Sequence, residues 1–144
     1  LGYDERQYCS PGFDLPLGSL SRTSHGKFPE YHTSADDLDF VQPPYLADSL
    51  AACIAILAVL EANQTYRNLN PKGEPQLGRR GLYSTSGGHT TRAQDEIALL
   101  WVLNLSDGEH SLLDIADRAG VPFSSIRAAA EDLLSVDLLE QVSS

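Results

Sequence analysis

Apolar residues recur at helical spacing in the middle of the chain. After Pro43 and Pro44, no Gly or Pro occurs before Arg67, and large apolar residues return every three or four positions: Leu46, Leu50, Cys53, Ile54, Leu57 and Leu60. Alanines occupy much of the remaining surface (Ala51, Ala52, Ala55 and Ala58). This pattern predicts one helix that packs closely on two sides and carries no chemistry of its own.

A second helical pattern begins near residue 92. A first helix carries Ile97, Leu99, Leu100, Val102 and Leu103 and is expected to stop at Asp107-Gly108. Ser111 and Asp114 have the spacing of a capping box, which opens a second helix. That helix is expected to end at Gly120, because Gly just after a helix and Pro shortly beyond are stop signals.

A third helix is predicted from about Ser124 to Ser135, and the apolar segment from Leu138 to Val142 is expected to form a strand. Three helices with a tight turn after the second, followed by a strand, are typical of a winged-helix or helix-turn-helix domain.

The remaining segments are rich in Gly and Pro. Residues 1–42 have room for a short strand from Asp14 to Leu20 and for a helix start at Ser34, which has capping-box spacing with Asp37. Residues 67–91 are punctuated too densely for regular structure. We therefore expect a first domain over 1–66, a connector over 67–91 and a winged-helix domain over 92–144.

The net negative charge of the chain disfavours nucleic acids and anionic membranes as partners. The chain has 144 residues, with ten basic and twenty acidic side chains and a net charge of −10. From Gly88 onward three basic residues face ten acidic ones, and the third helix has only Arg127 against Glu131 and Asp132. Nucleic-acid binding is disfavoured, because it depends on neutralising phosphates. An anionic membrane surface is disfavoured for the same reason.

The apolar run from Leu50 to Leu60 is shorter than the roughly 20 residues that a bilayer requires. Two cysteines are too few for a disulfide framework, and no signal peptide is apparent at the start. These features predict a cytoplasmic protein with no membrane partner. The chain contains no methionine, so we also expect it to be a piece of a longer polypeptide.

Few residues stand out as candidates for chemistry. His32 follows Tyr31 and precedes a run of acids (Asp36, Asp37 and Asp39), and carboxylates near an imidazole orient it for metal binding. The other histidines (His25, His89 and His110) fall in expected turns, where we predict that they are solvated. Asp4 and Glu5 form an acidic pair that could act in acid–base chemistry or could simply lie in a solvated turn. From spacing alone, a structural or solvated role is favoured for all of them.

Two segments, GYDERQYCSPGFDLP and FPEYHTSADDLDFV, resemble the last part of co-catalytic zinc aminopeptidases. In that family a Ser-Asp-His motif precedes a Gly-Ile-Pro strand, and a late His provides the final zinc ligand. The resemblance implies that His32 is this ligand, that Tyr31 can stabilise the oxyanion, and that Asp4 is an acid close to the metals. Glu5 stands where the commoner pattern has His, so the role of that position does not transfer directly.

With the segments EPQLGRRGLY and SLLDIADRAGVP included, the chain resembles bacterial aminopeptidase-like proteins along nearly its whole length. These proteins join a zinc-peptidase domain to a C-terminal winged helix, and they are often encoded among polysaccharide-biosynthesis genes. The resemblance implies the end of a doubly wound α/β domain, two zinc ions, and a peptide or amide substrate. It also implies that the chain is roughly the last third of such a protein, with the other ligands and the catalytic Glu upstream.

The sequence leaves two alternatives open. The chain could be a non-catalytic, acidic interaction module whose winged helix docks on a partner or on its own peptidase domain. A DNA-binding regulator is the less favoured alternative because of the charge. A homo-oligomer is also possible, and the piece taken alone is expected to be inactive.

Overall fold

The computed structural model describes residues 3–83 and 89–142, with residues 3 and 89–94 described by their backbone alone. The chain divides into two compact units, Leu1–Cys53 and Ile54–Ser144. All buried apolar side chains among the described residues lie in the second unit, from Tyr66 to Leu139. The described residues of the first unit therefore include no buried apolar side chain.

The first unit contains one short helix, α1 (Tyr3–Tyr8), followed by turns up to the start of α2 (Pro43–Ala62). The expected strand from Asp14 to Leu20 is wrong, and so is the expected helix start at Ser34. Between residues 3 and 62 the structure has no strand, so it does not show the doubly wound sheet that the resemblance implies.

The failed helix start has a local cause. The Asp37 carboxylate accepts hydrogen bonds from the backbone amides of Asp39 (2.9 Å) and Phe40 (3.1 Å) instead of capping a helix. Asp side chains that bond nearby amides in this way stabilise turns at the expense of helices. The segment is consequently a series of turns and bends.

Helix α2 begins with two prolines, which the first turn of a helix tolerates because its N–H groups have no intrahelical partner. It ends at Ala62, before the predicted limit at residue 66. None of its residues is buried, and only Ser49, Val59 and Ala62 are half-buried, so the described residues do not show the predicted close packing on two sides. At 20 residues it is long and apolar enough to cross a bilayer, by length and composition only, contrary to the expectation that no segment would be.

The second unit has a three-stranded antiparallel sheet in the order β2-β1-β3. The strands are β1 (Thr65–Asn68), β2 (Asp107–Ser111) and β3 (Leu139–Gln141). In β1, Thr65 pairs with Ser111 of β2, and Asn68 pairs with Leu139 of β3. The central strand thus comes directly after α2 and joins two strands from the end of the chain.

Three helices share one core with this sheet: α3 (His89–Leu105), α4 (Leu112–Ala119) and α5 (Phe123–Ser135). Helix α3 packs on α4 and α5, and these two contact β2 and β3 respectively. Both halves of the predicted capping box are present at α4, and Gly120 ends that helix in the left-handed conformation at φ 63°. The largest fully buried side chains form one core: Leu77, Val102, Leu112, Ile115, Ile126, Leu133 and Leu138. The predicted order of three helices and a final strand is confirmed.

The predicted irregular connector is partly wrong. It begins inside β1, and a 3₁₀ helix at Leu77–Arg80 places Leu77 in the core. Arg80 donates to the carbonyl oxygen of Val136 at 2.8 Å, which ties this segment to the end of α5. Residues 84–88 of the connector lie outside the described residues. As limits of domains, the predicted boundaries at residues 66 and 91 stay predictions.

Candidate functional site

Tyr31 lies at the centre of a small cluster of rings in the first unit. Its ring centroid is 4.1 Å from that of His32, 5.7 Å from that of His25 and 5.6 Å from that of Phe28. Phe28 also stacks on Phe40 at 5.8 Å, with 19° between the ring planes. The cluster joins residues from several successive turns, and it contains the two predicted site residues that adjoin in sequence.

His32 has a left-handed backbone, with φ at 57°. His is among the non-glycine residues that adopt this conformation more often than most. The side chain is exposed, while Tyr31 is half-buried. Within residues 3–83 and 89–142, no hydrogen bond to the His32 ring is present, so its two nitrogens are accessible.

Asp4 lies on α1 and is exposed. In the described part of the chain, no hydrogen bond or ion pair joins its carboxylate to Tyr31 or His32. The same residues contain no group of three or more His, Cys, Asp or Glu side chains that could hold a metal ion. Tyr31 and His32 are therefore together, whereas Asp4 is not joined to them by a described contact.

An open cavity of about 450 Å³ lies beside the ring cluster in the same unit. Phe28, Phe40 and Tyr45 line its apolar part, and Arg22 lines its polar part. The Arg22 guanidinium lies 5.2 Å from the centre of the Tyr45 ring and pairs with Asp48. The sequence analysis did not predict these lining residues, because contacts between turns produce no periodic pattern in the sequence. The one signal that could have indicated them is the high frequency of aromatic residues from Phe28 to Tyr45.

A second polar group lies at the start of β2. The Asp107 carboxylate accepts the amides of Glu109 (2.8 Å) and His110 (3.1 Å), and it contacts the His110 ring at Nδ1 (2.8 Å). These hydrogen bonds lower the pKa of Asp107 to about 2, and the bonds from the two backbone amides have the largest effect. The prediction that His110 lies in a turn is wrong, because it lies in β2, while its side chain is still 34% exposed. The prediction for His25 is confirmed, because it is an exposed turn residue, although its ring also contacts that of Tyr31. The side chain of His89 lies outside the described residues.

The outer face of α5 carries little positive charge. Arg127 donates from Nε to Glu131 at 2.8 Å, one helical turn away. In helix-turn-helix proteins the helix after the turn enters the major groove and needs free donors for base edges. Here the one cation of that helix is paired with a carboxylate.

Comparison with known families identifies the second unit. A family model described as winged helix-turn-helix matches residues 64–141, which is more than half of the chain. The chain belongs to the winged helix-turn-helix family. A second model, for a domain of unknown function (DUF4910), matches residues 1–63. The winged helix-turn-helix match begins just before β1, in agreement with the position of that strand in the sheet.

Two relatives cover nearly all of this winged helix-turn-helix chain. One, from Clostridium acetobutylicum, is described as a "putative polysaccharide biosynthesis protein with aminopeptidase-like domain"; it is 51% identical over 141 residues, covering 98% of this chain and 32% of its own. A crystallised "putative peptidase" from the same species is 48% identical with a TM-score of 0.81, covering 96% of this chain and 30% of its own. The chain thus spans about a third of the length of the relatives it matches, and the resemblance to aminopeptidase-like proteins is confirmed.

Proposed function

We propose that this chain supplies one wall of a zinc-dependent site that hydrolyses a peptide or amide bond, in a polypeptide about three times as long. The doubly wound α/β domain would be completed by residues outside this chain. The observation that carries the proposal is the exposed His32 held against Tyr31 at 4.1 Å, in a chain half identical to a relative with an aminopeptidase-like domain.

This chain offers one residue, His32, that is suited to bind a zinc ion. His32 has an exposed imidazole whose nitrogens accept no described hydrogen bond, and imidazole is a common zinc ligand. No group of three potential ligands occurs in the described residues, and zinc requires three or four. The proposal therefore needs further ligands from the rest of the longer polypeptide. Two bound zinc ions would polarise the scissile carbonyl and lower the pKa of water.

Tyr31 and Asp4 have supporting roles in this proposal. The Tyr31 hydroxyl would donate a hydrogen bond to the oxygen that becomes negative as the carbonyl is attacked. Its ring packs on His25, Phe28 and His32, which limits the positions that the hydroxyl can take. Asp4 would lie near the metals and hold a ligand or a proton, a role that requires α1 to approach His32 in the longer polypeptide.

The winged helix acts in packing or protein interaction in this proposal. The pairing of Arg127 with Glu131 and the excess of acidic residues from Gly88 onward support that role over DNA binding. The second candidate function is a non-catalytic interaction module, which the incomplete set of metal ligands in the described residues favours. We propose a cytoplasmic location without a membrane partner for either function, and a homo-oligomer is compatible with both.

Metal analysis and hydrolysis of aminoacyl anilides by the longer polypeptide test the proposal. We expect His32→Ala to remove about one equivalent of zinc per chain and to reduce turnover by at least about 100-fold. Tyr31→Phe should keep the zinc and lower kcat by about 100-fold, the usual effect of removing one oxyanion donor.

His25→Ala is the matched control, because His25 also packs on Tyr31 but is not a proposed ligand. It should retain the full zinc content, and because it removes only one packing contact of Tyr31, its turnover should fall far less than that of Tyr31→Phe or His32→Ala. If His32→Ala retained the full zinc content, the hydrolase proposal would fail and the interaction module would be favoured.

A further inference from the structure

Helix α2 has two different sides. The large apolar residues Leu46, Leu50, Ile54, Leu57 and Leu60 form a stripe along one side, which we call the leucine stripe. The other side carries small residues, and two of its members, Ala58 and Val59, line a groove of about 310 Å³ opposite Phe123 and Ala128 of α5. In the last turns of α2 it is therefore the small side that faces the winged helix.

The leucine stripe is uncovered. Its five members are between 57% and 61% exposed, and they follow one another over about four helical turns. Soluble proteins rarely expose a continuous apolar surface of this length unless it is an interface. A helix that is apolar on most sides is buried, either in a large protein or in a membrane.

The end of α2 is held firmly by the second unit. The Asn63 side chain accepts the amide of Leu113 at 2.8 Å, and the Gln64 carbonyl accepts the amide of Leu112 at 2.9 Å. Two residues after α2, Thr65 starts the central strand of the sheet. The winged helix therefore fixes the direction in which the last turns of α2 leave it.

We propose that the leucine stripe is an internal docking surface, covered by the remaining two thirds of the longer polypeptide. The fold of this chain recurs, with a TM-score of 0.81 over 96% of its residues, within a crystallised chain of which it makes up 30%. In a polypeptide of that length, about two thirds of the protein lies outside this chain and is available to cover α2. The winged helix then serves as a clamp that holds α2 against the peptidase-like part.

The charge distribution argues against a membrane as the occupant. The winged helix-turn-helix domain follows α2 after two residues, and from Gly88 onward it has three basic and ten acidic residues. An anionic bilayer surface would repel such a domain. Glu61, in the last turn of α2, would also have to lie at that surface.

The test compares the pair Leu50→Glu with Leu57→Glu, made together, against the control pair Leu69→Glu with Leu113→Glu. The control leucines are 50% and 39% exposed and lie outside α2. In the longer polypeptide, the stripe pair should lower the melting temperature by at least about 5 °C, because two charges would be buried without partners. The control pair should lower it by no more than about 2 °C.

In chain 1–144 by itself, the same pair of substitutions should have the opposite effect, because no further protein covers the leucine stripe. There the stripe is uncovered, so the stripe pair should reduce binding of a hydrophobic dye at least about twofold and leave the melting temperature of the winged helix unchanged. An unchanged melting temperature of the longer polypeptide would overturn the proposal.

Two further measurements on the longer polypeptide distinguish other occupants. Flotation with vesicles of phosphatidylcholine and phosphatidylglycerol that the stripe pair abolishes would show a membrane surface, and would overturn the proposal. A dimer that the stripe pair converts to monomers, measured by light scattering, would show a second copy as the occupant and would also overturn it. A monomer that does not float, with the lower melting temperature, supports the proposal. None of these readouts depends on hydrolysis.

Discussion

At the scale of single residues, Asp107 is the side chain whose charge contributes most clearly to stability. Backbone amides and the His110 ring hold its pKa at about 2, below the ordinary value, so the folded state favours the charged form. Stability from this group is therefore complete above about pH 4 and is lost as the pH falls through about 2. The carboxylate is nearly half exposed, which limits the size of the effect.

We expect Asp107→Asn to be less stable than the native chain at pH 7, by an amount that shrinks between about pH 4 and pH 2. Urea denaturation at several pH values measures this difference. Asp117→Asn is the control, since the Asp117 carboxylate accepts no hydrogen bond among the described residues. A difference that stayed constant down to pH 2 would show that the charge of Asp107 is not responsible.

Two residue pairs with the same spacing show what a sequence can and cannot predict at this scale. Ser111 and Asp114 form the predicted capping box, whereas Ser34 and Asp37 do not. The difference lies in the residue after each acid, because Ile115 is buried in the core, whereas Leu38 is 88% exposed. A capping motif starts a helix only where the helix has a surface to bury, and the local sequence does not contain that information.

At the scale of elements, the winged helix was predictable and its central strand was not. Helices α3 to α5 carry their own apolar spacing, caps and stop signals within short stretches of sequence. Strand β1 has only four residues, and its pairing partners lie about 40 and 75 residues further along the chain. Because a short strand depends on distant partners, the local pattern near Thr65 indicates only the end of a helix.

The charge of α5 leads to a prediction about nucleic acid. With Arg127 paired to Glu131, duplex DNA should bind to the chain more weakly than about 10⁻⁴ M at physiological salt. Fluorescence anisotropy with a labelled duplex measures this affinity. The variant with Glu131→Lys and Asp132→Lys releases Arg127 and adds two cations, so it should bind measurably more tightly at low salt. Binding by the native chain that is tighter than about 10⁻⁴ M at physiological salt would contradict the prediction.

At the scale of the whole molecule, the candidate site could be predicted only in part. Tyr31 and His32 are adjacent in sequence, and the structure brings their rings together. The contacts of Tyr31 with His25 and Phe28 depend on how successive turns fold, which no spacing rule gives. The position of Asp4 relative to His32 depends on how the segments before Tyr66 pack together. The described residues before Tyr66 contain no buried apolar side chain that would fix this packing.

The same incompleteness leads to the last prediction: chain 1–144 by itself should neither hold zinc tightly nor hydrolyse peptides. Zinc affinity comes from several preorganised ligands acting together, and the described residues contain no group of three. The winged helix should nevertheless fold, because its buried core, its three-stranded sheet and the capping box of α4 all lie within Ile54–Ser144. Zinc stoichiometry after dialysis, aminoacyl anilide turnover and thermal unfolding measure these three properties. One tightly bound zinc per chain that His32→Ala removes would show instead that these 144 residues hold a complete ligand set.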